Sequence, residues 1–118
     1  MADAGLFIGW GQVVRGREDR ALDVFNETVE YYGQLQSDGR IESWDVALLQ
    51  PHGGELAGYV MLRGSQEQID AVNSDENFER LMVRADLIVD GLGVVEALVG
   101  DGLARGMAMY QEEIAVVA

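Results

Sequence analysis

Several short runs in this chain are apolar on both alternating sets of positions, and that restricts its fold more than any other feature. In one, Leu6, Ile8 and Trp10 alternate with Phe7 and Val13; in another, Trp44, Val46 and Leu48 alternate with Ala47 and Leu49. Successive side chains of a strand point to opposite faces, so such strands need cover on both sides of their sheet. Helices of the same chain can supply one layer. A second copy of the sheet is the simplest supply of the other, so a homodimer is the expected state.

The periodicity orders the remaining elements. Residues 6–14 read as a first strand, ended by Arg15-Gly16. From 17 to 37 the period lengthens. Leu22, Phe25, Val29 and Tyr32 fall on one helical face, Asp23, Glu27, Glu30 and Gln34 on a polar stripe, and Asp38-Gly39 supplies a left-handed stop. Residues 40–50 and 55–64 form two strands about a Pro51-His52-Gly53-Gly54 hairpin turn. Ser65 with Gln68 matches a capping box and opens a short helix to about Asn73. Ser74-Asp75 caps a second helix to about Leu87, with Phe78, Leu81, Met82 and Ala85 on its inner face. Residues 91–99 form a fourth strand. Leu103, Met107, Tyr110 and Ile114 then recur at helical spacing behind Asp101 as N-cap. At 118 residues, the whole of 1–118 makes one domain around one core.

This β-α-β-β-α-β-α order, with the strand over 56–63 running into Ser65, resembles the dimeric α+β-barrel superfamily, in which ferredoxin-like monomers pair their sheets face to face. The resemblance spans residues 6–114. It implies an α+β fold of the ferredoxin-like βαββαβ type with a C-terminal helix, assembled as a homodimer. The superfamily holds cofactor-free monooxygenases, muconolactone isomerases, haem enzymes and proteins of no known activity, so fold alone selects none of these.

Composition removes several chemistries. The formal charge of −13 repels phosphate, so neither nucleic acid nor an anionic membrane is an expected partner. Adaptation to high salt is the rival to a simply well-solvated acidic surface. Lysine is absent, which excludes Schiff-base chemistry and lysine-dependent phosphate loops. Cysteine is also absent, leaving His52 as the one residue of zinc's preferred ligand types; no metal and no cofactor is expected. The superfamily's haem enzymes carry their ligand histidine on a helix, whereas His52 lies in a turn as an exposed residue. Gly9-Trp10-Gly11 sits within a strand and Gly91-Leu92-Gly93 precedes one, so neither opens a helix onto a pyrophosphate. Ser65 and Ser74 read as helix caps, and the lone imidazole leaves no triad. The acid in Met1-Ala2-Asp3-Ala4 and the short apolar run after it suit neither export nor a membrane span, so the cytoplasm is the expected compartment.

One constellation remains. If Gln50 pairs with Glu55 across the turn, Trp44 lies opposite Met61, Val46 opposite Tyr59 and Glu42 opposite Arg63. That face would carry Trp44, Tyr59, Met61 and Arg63 into the space between the paired sheets, with Glu42 and Arg63 as an exposed ion pair. Trp10 and Gln12 from the first strand and Glu96 from the fourth would join it. Val60 and Leu62, with Leu49, would face the helices. Such a mixture suits the wall of a cavity for a small apolar or aromatic ligand, and equally a filled dimer interface. The binding reading has an enzymatic alternative: cofactor-free oxygenation or isomerisation of an aromatic or polyketide-like substrate. There Tyr59 or Arg63 would stabilise an enolate and Trp44 would stack on the ring.

Overall fold

The computed structural model describes residues 2–118. Its strands are β1 (Ala4–Trp10), β2 (Ser43–Leu48), β3 (Gly58–Gly64) and β4 (Gly93–Leu98). Its helices are α1 (Glu18–Ser37), α2 (Gln66–Asn73), α3 (Glu76–Asp86) and α4 (Gly100–Val117). The strands form one antiparallel sheet in the order β2-β3-β1-β4. The order β-α-β-β-α-β, with the 65–86 region split between α2 and α3 and a terminal helix added, is the ferredoxin-like one.

Local chemistry sets the element ends. Gly39 at φ 73° stops α1, and the Arg40 N–H reaches back to the Leu35 carbonyl at 2.8 Å. Ser65 caps α2 through a complete capping box with Gln68. The Asp75 carboxylate caps α3 by accepting from the Asn77 N–H at 2.7 Å. The start of α4 differs from expectation. Asp101 lies inside its first turn, and Val99 takes the cap position without a side-chain bond. Gly100 makes that entry at φ 52°, a conformation costly for other residues.

The core lies between the sheet and α1, α2 and α3. Leu6, Ile8, Val60 and Leu62 project into it from the two central strands, meeting Tyr32, Leu35, Ile69, Val72 and Phe78 from the helices. The sequence assigned the inner stripe of α1 to Leu22, Phe25, Val29 and Tyr32. The buried residues are Ala21, Thr28, Tyr32 and Leu35, and Leu22 is 63% exposed. The stripe is rotated because two small residues, Ala21 in the first turn and Thr28 near the midpoint, line the inner side of the helix.

Strand lengths and register also differ. β1 starts earlier and ends at Trp10; the segment after it turns to residues 88–90, through a Val13–Val89 bridge and the Gly11 N–H to Asp90 carbonyl bond at 2.7 Å. β2 and β3 are shorter than expected. They are joined by a wide loop, closed where the Leu49 N–H donates to the Ala57 carbonyl at 2.8 Å. The pairs are Trp44–Leu62, Asp45–Met61, Val46–Val60 and Ala47–Tyr59, one residue away from the register that pairs Gln50 with Glu55. His52 is exposed, as expected for the turn, but it is not idle. Its Nδ1 accepts from the Gly54 N–H at 3.2 Å, leaving Nε2–H to donate to the Leu56 carbonyl at 2.9 Å.

Arg40 and Asp75 join the C-terminal side of α1 to the start of α3, at 2.5 Å. The hydrogen bond from Arg40, then that from the Asn77 N–H, hold the Asp75 carboxyl below its ordinary value of 3.8. Because that pKa is depressed in the folded state, the pair stabilises the fold above the ordinary carboxylate range, and the contribution is lost as pH falls through the lowered value. Asp75→Ala, which removes both cap and pair, should cost about 1–2 kcal/mol at neutral pH in urea denaturation. Asp75→Asn keeps a good cap and should cost at most about 1 kcal/mol. Its deficit should vanish below the lowered Asp75 pKa. A pH-independent deficit for Asp75→Asn would refute the charge assignment.

Candidate functional site

The slipped register redistributes the residues singled out from the sequence. Tyr59, Met61 and Arg63 do lie on the sheet face turned away from the helices. There Phe7 stacks on Tyr59 with ring centroids 5.5 Å apart, and Arg63 pairs with Asp45. Trp44 lies on the opposite face. Its pairing with Leu62 carries it under α1, where its ring meets Tyr32 at 5.8 Å. Trp10 likewise faces the helices and meets Phe25 edge-on at 6.3 Å. Glu96, paired with Leu6, is on the helix side too and accepts from the Gln66 side chain at 2.8 Å. A one-residue slip is sufficient for Trp44 and Tyr59 to part company, because strand side chains alternate. Val60 and Leu62 face the helices as expected, accompanied by Trp44 and Val46 in place of Leu49.

The aromatic pair Trp10–Phe25 marks a cavity of about 470 Å³ between the sheet and helices α1 and α3. Its floor is sheet: Ile8, Trp10, Leu48 and Val60. One wall is α1, with Ala21, Leu22, Phe25, Thr28 and Tyr32; the other is α3 and the segment after it, with Met82, Ala85, Ile88, Val89 and Leu92. The hollow exists because Ala21, Thr28 and Ala85 are too short to meet across it. Arg17 donates to the Leu87 carbonyl at 3.0 Å and Arg84 to Glu27 at 3.1 Å, tying the two helical walls together from outside.

Polar groups in this lining are few and largely committed. The Thr28 hydroxyl donates to the Phe25 carbonyl at 2.8 Å. Glu18, at the rim, accepts from the Gly16 N–H at 2.9 Å. Burial, and then the neighbouring Tyr31, push the Tyr32 phenol far above its ordinary value of 10.0. It stays protonated at any physiological pH, a hydrogen-bond donor and not a base. Gln12, beyond the end of β1, belongs to a separate and more polar recess with Gly11, Gly54, Glu55, Asp90 and Gly91, which shares Trp10 with the main cavity. Among the described residues, no three His, Asp or Glu side chains converge as metal ligands, and no helix is long and apolar enough to cross a membrane.

The sequence reading passed over this cavity, although Phe25, Tyr32, Met82 and Ala85 were all assigned to inner helix faces. The available signal was the pairing of small residues on those faces with aliphatic ones on the strands, which leaves volume unfilled.

Comparison with known proteins supports the fold. No family model matches the chain, and no curated protein matches it in sequence. Among solved structures, a dimeric protein of unknown function and ferredoxin-like fold from Bacteroides fragilis NCTC 9343 superposes with a TM-score of 0.59 at 11% identity, over 81% of this chain and 96% of that one. A candidate antibiotic biosynthesis monooxygenase from Chloroflexus aurantiacus J-10-fl gives 0.50 at 19% identity, over 82% and 94%. SnoaB, a cofactor-independent oxygenase from Streptomyces nogalater, gives 0.49 at 15% identity, over 84% and 93%. The likeness to the Bacteroides fragilis protein shows that the chain has a ferredoxin-like fold.

The seat of Trp10 is testable. A Cβ on Gly58 would stand 2.6 Å from Trp10 Cζ2 and 2.9 Å from the Ala47 carbonyl oxygen. Gly58→Ala should drive the indole into the cavity, destabilise the protein by about 1–3 kcal/mol, and shift Trp10 emission in a Trp44→Phe background. Urea denaturation and fluorescence spectra check both effects.

Proposed function

We propose that the chain is a homodimeric binding protein that holds an uncharged, apolar small molecule between its sheet and helices α1 and α3. The observation that carries this reading is the cavity itself. Its volume falls within the range of small-molecule sites, and its lining is aliphatic and aromatic with few polar groups. The formal charge of −13 around it disfavours anionic ligands. Exposed Leu22 and Leu48 at its margin offer an apolar entry. The dimer is supported by the second sheet face, where Phe7, Tyr59, Met61 and the 58%-exposed Val95 lie without helical cover. The Bacteroides fragilis protein that shares the fold is dimeric.

A second reading, cofactor-free oxygenation or isomerisation, rests on Glu18. It is the one carboxylate in the cavity lining and the natural candidate to take a proton from a bound substrate. The neutral Tyr32 phenol could then donate to the oxygen that gains charge. The fold shared with the candidate monooxygenase from Chloroflexus aurantiacus is compatible with this reading. The binding reading stands first because it asks nothing of a rim carboxylate already engaged by a backbone N–H.

The test uses Trp44→Phe protein, in which Trp10 is the one indole. Titration with the neutral dye N-phenyl-1-naphthylamine should give saturable energy transfer from Trp10, at one dye per chain. Ala85→Phe, which fills the cavity, should weaken binding by about tenfold or more, equivalent to about 1.4 kcal/mol. Absence of a saturable response from correctly folded protein would overturn the proposal. Glu18→Gln should leave dye binding intact. Dye binding kept but a substrate turnover lost in that variant would move the assignment to the enzymatic reading.

A further inference from the structure

Helix α4 extends away from the domain. The radius of gyration is 16.2 Å, against about 13.5 Å for a compact chain of this length. The root of the helix is tightly seated. A Cβ on Gly102 would fall 1.9 Å from the Asp3 carbonyl oxygen, one on Gly106 would meet Leu98 at 2.6 Å, and Arg105 pairs with Asp3 at 3.0 Å. From Met107 onward every residue is exposed.

Little in that exposed half would keep it helical alone. The helix has no side-chain cap, three glycines in its first half, a pair of β-branched valines near its end and no base in its last turn. Each of these weakens an isolated helix, and short isolated helices are marginal in water in any case. Its apolar residues are nonetheless in register. Leu103, Met107, Tyr110, Ile114 and Val117 follow one another at steps of four, three, four and three, and are 48% to 83% exposed. That alternation is the 3.5-residue repeat of a helix–helix seam, which a partner helix of the same repeat fills.

We infer that α4 packs along this seam against α4 of a second copy, as an arm of the homodimer proposed above, on which this inference rests. The charge pattern permits two acidic chains to meet here. The positions flanking the seam are Ala104, Gly106, Gln111 and Glu113, a single carboxylate on a chain of net charge −13. The area is adequate. With Leu98 of β4, 58% exposed, the seam offers apolar surface approaching the roughly 800 Å² per partner buried in a standard interface. Tyr110 is the midpoint of the seam, so parallel and antiparallel pairing both bring it near its own copy.

The chain contains no cysteine, so Tyr110→Cys introduces a single thiol. Under mild oxidation it should form a covalent dimer, while Glu112→Cys, off the seam, should not. In light scattering the wild type should have twice the 12.9 kDa chain mass, and Met107→Glu/Ile114→Glu should shift toward the single-chain mass at micromolar concentration with loss of helical circular dichroism. A wild-type dimer that neither cross-links through Tyr110→Cys nor dissociates in the seam variant overturns the arm but leaves a dimer through the sheets. A wild-type monomer overturns both.

Discussion

The Leu49–Ala57 backbone hydrogen bond closes the wide β2–β3 loop, and the face on which each β2 side chain lies follows from it. The loop is braced from within by both ring nitrogens of His52 and tied to the end of β1 by the Ala57 N–H to Trp10 carbonyl bond at 2.7 Å. With that closure, Val46 sits opposite Val60 and Trp44 opposite Leu62, so an aromatic and aliphatic set lies beneath the helices. Asp45 and Arg63 are left on the other face, where their charges remain hydrated. A slip of one residue would bury Asp45 and expose Trp44, a change that hydrophobic burial and charge desolvation both oppose.

The core is uneven because the helices approach the sheet with side chains of unequal length. Around Tyr32, Leu35, Ile69, Val72 and Phe78 the residues fill their space, and most are almost wholly buried. Along α1 from its first turn to its midpoint, and in the second half of α3, Ala21, Thr28 and Ala85 stop short of the strands. Packing defects of this kind normally reduce stability. Here the cost falls where the walls are tied from outside by Arg17 and Arg84, so the hollow lies within a braced frame. Under the proposed binding role, an apolar cavity inside an acidic shell would favour neutral, apolar molecules by desolvation and by long-range charge together.

Two extended apolar surfaces are left uncovered among the described residues: the outer sheet face and the seam of α4. The glycines that let α4 pass close to Asp3 and Leu98 also keep its first turns from holding the rest of the helix by propensity. A helix anchored at its root and apolar along its length is suited to packing on something beyond its own domain.

Much of this architecture was legible in the chain alone. Period-two and helical patterns, the Ser65–Gln68 capping box, the Asp75 cap and the Gly39 stop are local features, decided by residues a few positions apart, and they place seven of the eight elements in kind and order with α2 and α3 correctly divided. The terminal helix followed from its apolar spacing, though its cap did not. The strand register was not legible, because Pro51-His52-Gly53-Gly54 is compatible with more than one loop length, and a single residue of difference exchanges the two faces. That exchange moved Trp44 beneath the helices; Trp10 and Glu96 were settled by the orientation of β1 and β4. The cavity was likewise beyond the sequence, since an unfilled volume depends on how closely α1 and α3 approach the sheet. Local propensity determined which elements exist, while loop closure and the distance between layers decided which side chains share a site.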